Sequence, residues 1–396
     1  MERIYADNAA TTAMSRAAMD AMTAAMALYG NPSSLHQEGQ RAAKALEDAR
    51  YVMADALGCR PGEIIFTSGG SEADNQALRS AAAEGKRRGR RHIISTAVEH
   101  HAVLRTLEEL ADEGFDVTLL PVDENGRVSA GDAAAAIRED TCLVSVMTAN
   151  NEVGTIQPAA EIAALCRVRH IPFHTDAVQA AGHLSLRVDE LGVDMLSLSA
   201  HKFHGPKGVG ALYVRRGTPV TPVIFGGAQE RGRRAGTENL PAIAGMAAAL
   251  RESVEHMERD RAHVTALRDR LAAGLLRIPH AVLNGGGAER LPGIVNLSFE
   301  CVEGEPLVLL LDARGIAASS GSACASGSHT ASHVIRALGR SDALALGSVR
   351  LSLCESNTAD EVDRIIAAVT ESVAYLRSLS PEWKAREAGE TPWELL

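Results

Sequence analysis

Short apolar runs alternate with Ala/Leu/Glu-rich segments of helical length between about residues 42 and 250. The apolar runs are predicted as seven strands, at 63–67, 92–95, 117–122, 142–147, 171–174, 195–198 and 211–214. This alternation is typical of βαβ units, whose parallel strands form one sheet covered by helices on both faces. The last strand ends in a Gly-rich, hairpin-like region and is expected to run antiparallel. The sequence therefore predicts an α/β fold with a mostly parallel seven-stranded sheet.

A different pattern follows residue 250. A long helical stretch at 251–277 leads to strand candidates at 294–299, 316–319 and 349–353. This change of pattern indicates a smaller α+β unit. The first 14 residues are too short and too polar to fold alone, and we expect them to join it. We therefore predict a large domain over 15–255 and a small domain formed by 1–14 and 256–396.

The composition argues against several classes of protein. The net charge of −10 argues against nucleic acid or an anionic membrane as the main partner. No apolar run approaches the roughly 20 residues that span a bilayer. Six cysteines occur without a Cys-x-x-Cys pair, and the N-terminus lacks a signal-peptide core. These features predict reduced thiols and a cytoplasmic protein.

The strongest chemical signal lies at residues 201–208, which read HKFHGPKG. The chain has five lysines against 35 arginines, and two of the lysines lie in this segment. Lys202 follows a predicted strand, where catalytic groups of open α/β sheets tend to lie. A lysine amine can form a Schiff base with a carbonyl cofactor, whereas a guanidinium stays protonated and cannot attack. An isolated lysine in a glycine turn is usually a surface residue, so its neighbours decide the interpretation.

Two strand ends carry groups suited to a phosphate. Residues 66–72, FTSGGSE, read as a strand, a small-residue turn and a helix start. Free N–H groups at Gly70 and the hydroxyl of Ser71 can cradle a phosphate there, although such a turn alone is more often a helix cap. Ser199 and His201 stand immediately before Lys202. Two such groups flanking a lysine indicate a site for a phosphorylated aldehyde.

Two further groups of side chains would act on the ring of a cofactor. Asp176 ends a predicted strand 26 residues before Lys202, and a buried anion keeps a pyridine nitrogen protonated. Gln179 is placed to donate a hydrogen bond to a phenolic oxygen. Of the adjacent His100 and His101, we expect one to stack on the ring or move protons, and the other to be structural. His100 is the favoured functional residue.

These residues, in their order along the chain, resemble those of the pyridoxal-phosphate enzymes of the class V aminotransferase family, specifically the cysteine desulfurases of the NifS/IscS type. The resemblance runs nearly end to end and is carried by residues 7–12, 30–34, 150–154, 199–210, 226–230, 234–239 and 319–326. It implies the fold-type I, two-domain architecture of such transferases and pyridoxal 5′-phosphate as cofactor. It also implies a homodimer in which Thr237 reaches the cofactor phosphate of the other subunit.

The resemblance assigns further residues. It makes Cys324 the cysteine that accepts the substrate sulfur, and it gives Asn151 and Arg350 to the substrate, with Asn151 also facing the cofactor. Arginine suits a carboxylate because the two can pair through two hydrogen bonds. Gly70 and Ser71 replace the Ala-Thr pair that is commoner in the family, and Cys354 stands where many members have glycine.

Cys324 is also singled out by its surroundings in the sequence. It lies among Ser, Gly and Ala, which neither bury a side chain nor hold it rigidly. The other five cysteines lie in apolar or helical contexts, where a thiol is most often inert. A free thiol with a pKa near ~8.5 needs activation to act as a nucleophile at neutral pH.

The predicted reaction converts L-cysteine to L-alanine and leaves a persulfide on Cys324, with Lys202 and His100 moving protons. The expected sulfur acceptor is a protein such as an iron–sulfur scaffold. No permanent metal, membrane or direct nucleic-acid partner is expected, although Cys324 could ligate an iron–sulfur cluster transiently. Two alternatives stay open: an aminotransferase or selenocysteine lyase of the same fold, and a non-enzymatic assembly protein. The pathway served, from nitrogen fixation or housekeeping cluster assembly to tRNA or DNA thiolation, stays open as well.

Overall fold

The structure is a computed structural model that describes residues 3–320 and 331–389. Within these ranges the strands are β1 (Ile4–Tyr5), β2 (Ile64–Thr67), β3 (His92–Thr96), β4 (Asp116–Leu120), β5 (Thr141–Ser145), β6 (Phe173–Asp176), β7 (Met195–Ser199), β8 (Gly210–Val214), β9 (Ala281–Leu283), β10 (Ile294–Phe299), β11 (Ile316–Ala317), β12 (Ser319–Ser320) and β13 (Ser348–Ser352).

The α-helices of the same ranges are α1 (Arg16–Met26), α2 (Gln37–Leu57), α3 (Gly70–Arg87), α4 (His101–Asp112), α5 (Ala130–Ala136), α6 (Ala159–Val168), α7 (Val188–Leu191), α8 (Leu240–Leu275), α9 (Gly304–Ala313), α10 (His333–Ala337), α11 (Asp342–Leu346), α12 (Ala359–Leu379) and α13 (Pro381–Glu387). Short 3-10 turns lie at Pro61–Glu63, Ala200–Lys202 and Gln229–Gly232. Among the described residues, no helix is both long enough and apolar enough to cross a membrane.

Seven strands form the main sheet, in the order β2-β8-β7-β6-β5-β3-β4. β8 pairs antiparallel with both of its neighbours, and the remaining pairs are parallel. Six strands therefore run in one direction, and the carboxyl ends of β2, β3, β5, β6 and β7 lie at the same edge. The predicted sheet is confirmed, including its one antiparallel strand.

Helix ends differ from the predicted ones where a cap is hard to see in the sequence. The helix expected at 251–277 begins at Leu240, because Asn239 accepts a hydrogen bond from the Ala242 N–H and a proline stands in the first turn. α2 begins at Gln37 and not at 42, because the His36 ring accepts a bond from the Gly39 N–H at 3.2 Å. Histidine is an uncommon cap, so the apolar pattern alone misses this start.

A second, antiparallel sheet has the order β12-β13-β10-β9, and β1 pairs in parallel with β11 beside it. Ile4 and Ala6 pack into the apolar core of this second unit. α8 contributes to both cores, through residues such as Met246 at its start and Leu271 near its end. The predicted boundary at 255 falls inside this helix, and the division into domains stays a prediction.

A buried ion pair ties the turn at Gln229–Gly232 to the main sheet. The Arg50 guanidinium donates to both carboxylate oxygens of Glu230, at 2.7 and 2.9 Å, and to the Ile64 carbonyl at 2.9 Å. The Phe66 N–H donates to the same carboxylate at 3.1 Å. Only 5% of the Arg50 side chain and 1% of the Glu230 side chain are exposed. The pair thus fixes the polar segment that continues to Thr237.

Replacing Glu230 by Gln should lower the free energy of unfolding by about 3–5 kcal/mol, because it leaves the Arg50 charge buried without its partner. Denaturant titration measures the effect. Glu47→Gln is the matched control: Glu47 bonds the same arginine at 3.1 Å, but 45% of its side chain is exposed, so its loss should cost less than about 1 kcal/mol. Equal losses in the two variants would contradict this account.

Candidate active site

One cavity of about 350 Å³ lies at the carboxyl edge of the main sheet. Ten of the twelve predicted site residues line it, namely Gly70, Ser71, His100, Asn151, Asp176, Gln179, Ser199, His201, Lys202 and Arg350. Strand ends of the main sheet supply all of them except Arg350, which comes from β13. Of the other two, Thr237 is exposed elsewhere on the surface, and Cys324 lies outside the described residues.

Lys202 closes the 3-10 turn that follows β7. Its Nζ donates hydrogen bonds to the carbonyl oxygens of Ala9 at 2.7 Å and Ala10 at 2.9 Å. The same N-terminal segment binds the turn through Thr12, whose N–H and hydroxyl both donate to the His201 carbonyl. The amine is therefore held at the cavity by backbone from the other end of the chain.

Asp176 is the buried anionic group of the cavity. Its Oδ1 accepts a hydrogen bond from the Val178 N–H at 2.9 Å. Burial raises the pKa of the carboxyl to about 6, against the lowering effects of that hydrogen bond and of the Lys202 charge. A further positive group in the cavity would therefore stabilise the ionised carboxylate.

The start of α3 meets the end of β7 at very short range. A Cβ placed on Gly70 would lie 2.7 Å from Val178 Cγ2 and 3.4 Å from Ser199 Cβ. No side chain of the described residues caps the helix at Gly69, so its first N–H groups are available to an anion. The Val178 side chain thus occupies the space that a Cβ at residue 70 would need, which fits glycine at a position where the family commonly has alanine.

His100 and His101 have different surroundings. His100 caps α4, and its Nδ1 accepts a hydrogen bond from the Ala102 N–H at 3.1 Å, so Nε2 carries the ring proton. Burial, with a smaller effect of Lys202, lowers the pKa of His100 to about 4, so the ring is neutral near pH 7. His101 does not line the cavity. The centroid of its ring lies 4.7 Å from the ring centroid of His333.

Arg350 is buried at the side of the cavity formed by β13. Its Nη2 lies 3.1 Å from Asp7 Oδ1, and its Nη1 donates to the Asn151 carbonyl at 2.8 Å. Its Nε has no hydrogen-bond partner among the described residues. The guanidinium is thus oriented by the protein and keeps an N–H donor that no described residue uses.

Polar contacts to the N-terminal segment also orient two further side chains. The His201 Nδ1 lies 3.2 Å from the Thr11 hydroxyl, and Gln179 Nε2 donates to the Ala9 carbonyl at 2.8 Å. Burial, followed by the charge of Lys202, lowers the pKa of His201 to about 4. His201 is therefore a neutral ring that can donate or accept a hydrogen bond.

The five cysteines of the described residues are free thiols. Burial raises their pKa values, to about 12 for Cys59 and Cys166 and to about 11 for Cys142, with Cys301 and Cys354 also raised. Each is therefore protonated at neutral pH and a poor nucleophile. Cys354, the departure from the family, is buried with its Sγ 3.1 Å from the Ser356 hydroxyl.

Comparisons with known proteins agree with this geometry. The sequence model of the class-V aminotransferases matches residues 4–365. A cysteine desulfurase IscS from Methanosarcina thermophila is 49% identical over 96% of this chain and 94% of its own length. A solved structure of a NifS-like protein is 39% identical, with a TM-score of 0.88 over 94% of this chain and all of that one.

The chain belongs to the class-V aminotransferase family, and within it to the cysteine desulfurases. A further solved relative, described as SspA in complex with cysteine, is 36% identical, with a TM-score of 0.79 over 90% of this chain and all of that one. The family and the fold class predicted from the sequence are thereby confirmed. Members of this family depend on pyridoxal phosphate.

Sequence reasoning missed several groups that the structure brings to the cavity. Asp7 begins the family motif at residues 7–12, but nothing in the spacing of that motif shows that Asp7 pairs with Arg350. The carbonyls of Ala9 and Ala10 carry no side-chain signal at all. Asp74 also lines the cavity; it stands in a helix whose pattern gives no reason to distinguish it from a solvated acid. Tertiary contacts alone identify these groups.

Gly70→Ala should lower the free energy of unfolding by about 1–3 kcal/mol, because its methyl group overlaps Val178. The double variant Gly70→Ala/Val178→Ala should recover most of that loss, since the second change removes the overlapping atoms. Denaturant unfolding of wild type, both single variants and the double variant measures the coupling. Additive losses would show that the two residues do not compete for one volume.

Proposed function

We propose that this protein is a cysteine desulfurase that converts L-cysteine to L-alanine and leaves the sulfur on Cys324 as a persulfide. The observation that carries the proposal is the meeting of Lys202, Asp176 and Arg350 in one cavity, in a chain whose relatives are cysteine desulfurases. The solved relative described in complex with cysteine supports the same substrate.

The cavity fits pyridoxal 5′-phosphate. The free N–H groups at the start of α3, with the Ser71 hydroxyl, Ser199 and His201, would hold the phosphate. The buried carboxylate of Asp176 would face the ring nitrogen. Lys202 would bind the aldehyde carbon, His100 would lie against the ring face, and Gln179 and Asn151 would contact its oxygen substituent. When bound, this cofactor supplies an electron sink for the negative charge that develops at the substrate Cα.

The protein's own groups position the substrate and move its protons. Arg350 would bind the carboxylate, since Asp7 and the Asn151 carbonyl hold its guanidinium in place. Asn151 would orient the substrate next to it. The Lys202 amine would move the Cα proton. The neutral ring of His100 cannot give up its Nε2 proton without becoming an imidazolate, so its Nε2–H would donate a hydrogen bond to the reacting groups during cleavage.

Cys324 would act on the substrate sulfur. Its thiolate attacks the substrate Sγ, the bond between that sulfur and the substrate Cβ breaks, and the carbon takes up a proton to become the methyl group of alanine. The sulfur stays on Cys324 as a persulfide, so no oxidant or reductant is consumed. The persulfide would then pass its sulfur to an acceptor protein such as an iron–sulfur scaffold.

We also propose a homodimer. The segment after Gln229–Gly232 is held by the Arg50–Glu230 pair, and Arg234 pairs with Glu72 at 2.9 Å, so it presents Thr237 in a fixed position. Phe225, just before it, is 82% exposed. An exposed aromatic side chain beside an exposed threonine supports a contact in which Thr237 reaches the cofactor phosphate of a second copy. A cytoplasmic location and a transient cluster on Cys324 stay predictions.

Lys202→Ala should abolish covalent attachment of pyridoxal phosphate and lower alanine formation at least about 100-fold. Borohydride reduction of the cofactor-loaded protein, followed by peptide mapping, should place the cofactor on Lys202. Lys207→Ala is the matched control, because Lys207 lies five residues on and is exposed; it should keep cofactor and activity. Recovery of the cofactor on Lys207 would overturn the assignment. Failure of the wild type to bind the cofactor would favour the non-enzymatic alternative.

Cys324→Ser should keep folding and cofactor binding but form no alanine from cysteine. Mass spectrometry of the wild type after cysteine addition should find about 32 Da of added sulfur on the peptide that contains Cys324. Cys354→Ser is the control and should keep sulfur release, since its thiol is buried and protonated. Added sulfur on Cys354 would move the role to that residue. Amino transfer to a keto acid, or release of selenium but not sulfur, would favour the aminotransferase or selenocysteine lyase.

A further inference from the structure

Three carboxylic acids are buried at or next to the cavity, and two of them, Asp74 and Asp176, line it. Asp74 is 1% exposed, Glu99 is 0% exposed and Asp176 is 6% exposed. The negative charge of Asp176 acts on both of the others. Buried acids this close do not all ionise, because each charge opposes the next. Which of them keeps its proton decides the charge of the cavity.

The burial of Glu99 is explained by the hydrogen bonds that its carboxyl group accepts. Its Oε1 accepts hydrogen bonds from the Thr96 hydroxyl at 2.8 Å and from the Met147 N–H at 2.9 Å. These bonds join the turn after β3 to the turn after β5. Burial raises the pKa of Glu99 to about 8, so it is mostly neutral at pH 7.

Asp74 lies one turn into α3 and faces the sheet beneath. Its carboxyl group accepts a hydrogen bond from the Ser197 hydroxyl on β7, and Ser197 is the register partner of Asp176 on β6. The Asp74 Oδ1 lies 3.6 Å from His174 Nε2 and has no hydrogen-bond partner among the described residues. Asp74 thus lines the cavity and lies next to both β6, the strand that carries Asp176, and the neighbouring β7.

No described cation neutralises Asp74. His174 bonds Ser197 at 3.0 Å and Ser145 at 2.8 Å, and burial lowers its pKa to about 3, so the ring is neutral. The charge of Lys202 acts on Asp176. Burial, and then the Asp176 charge, raise the pKa of Asp74 well above its usual range. The hydrogen bond from Ser197 has the opposite, smaller effect on Asp74. With its Oδ1 unpartnered and no described cation beside it, Asp74 favours its protonated form, whereas the Lys202 charge favours ionisation of Asp176.

We infer that Asp74 is a positioning residue of the cofactor site, an acid that stays protonated so that this end of the cavity presents one carboxylate, that of Asp176, to the pyridine nitrogen. One negative charge matches one protonated ring nitrogen, and the bond that the Ser197 hydroxyl donates to Asp74 holds α3 against β7 next to that carboxylate. The inference rests on the proposed cofactor.

The test compares Asp74→Asn and Asp74→Ala in the full-length chain. Asparagine keeps the shape and an oxygen that can accept the hydrogen bond from Ser197, without a titratable proton, whereas alanine removes both. Asp112→Asn is the control, since Asp112 is exposed on α4 and the same substitution there affects an acid in contact with water. Two quantities are measured for each protein: the free energy of unfolding without cofactor between pH 5 and 9, and the dissociation constant of pyridoxal 5′-phosphate at pH 7.

The sign of the pH effect follows from the raised pKa. An acid whose pKa is higher in the folded state favours folding below its unfolded value near ~4, and this contribution is lost as the pH rises through the folded value. Wild type should therefore lose stability relative to Asp74→Asn as the pH rises, and Asp112→Asn should follow wild type. The difference between wild type and Asp74→Asn reports the titration of Asp74 together with its effect on Asp176 and Glu99, since the three acids titrate as an interacting group. A difference that does not change with pH would overturn the inference.

Cofactor binding gives the second measurement. Asp74→Asn should keep the dissociation constant within about threefold of wild type, and Asp74→Ala should weaken it at least about tenfold through the lost hydrogen bond. Equal weakening in both would show that an ionised Asp74 is required, and would overturn the inference. If Asp74→Ala does not fold, Asp74→Asn carries both measurements. If wild type binds no pyridoxal phosphate, the proposed function fails, while the unfolding curves still report whether Asp74 keeps its proton.

Discussion

The burial of the Asp176 carboxylate is the constraint on which the site depends. All four residues of β6 are buried, so the carboxylate at its end is largely removed from water, and such burial is costly without hydrogen bonds or a positive partner. The protein supplies one N–H donor, from Val178, and the nearby charge of Lys202. It also surrounds the carboxylate with acids and imidazoles whose pKa values favour their neutral forms. The cavity is therefore arranged to receive one further positive group at this point.

The sheet topology explains why the polar groups can meet there. Carboxyl ends of parallel strands share one edge, where ligands of open α/β sheets bind. The antiparallel β8 lies between β2 and β7, so its amino end reaches the same edge. A Cβ on Gly210, its first residue, would lie 2.7 Å from the Gly69 Cα. Absence of a side chain at 210 lets the start of α3 approach Ser199 across the intervening strand.

The N-terminal segment links the two halves of the cavity. Asp7 pairs with Arg350 on β13, and the carbonyls of Ala9 and Ala10 accept hydrogen bonds from Lys202 after β7. One short stretch of backbone thereby orients the group proposed to bind the substrate carboxylate and the amine proposed to move its proton. The distance between these two functions is set by a segment that has no regular structure beyond β1.

The sequence by itself determined the α/β class, the seven-stranded sheet with one reversed strand, the family and ten of the residues that line the cavity. It could do so because strand periodicity and motif order are local properties, and because βαβ topology brings successive strand ends to one edge. Only the tertiary structure decided that Asp7 pairs with Arg350, that a Cβ at residue 70 would overlap Val178, and that Asp74 lines the same cavity as Asp176. Those contacts join residues whose separation in the chain says nothing about their distance in space, and the pKa shifts follow from burial, which depends on packing from several elements at once.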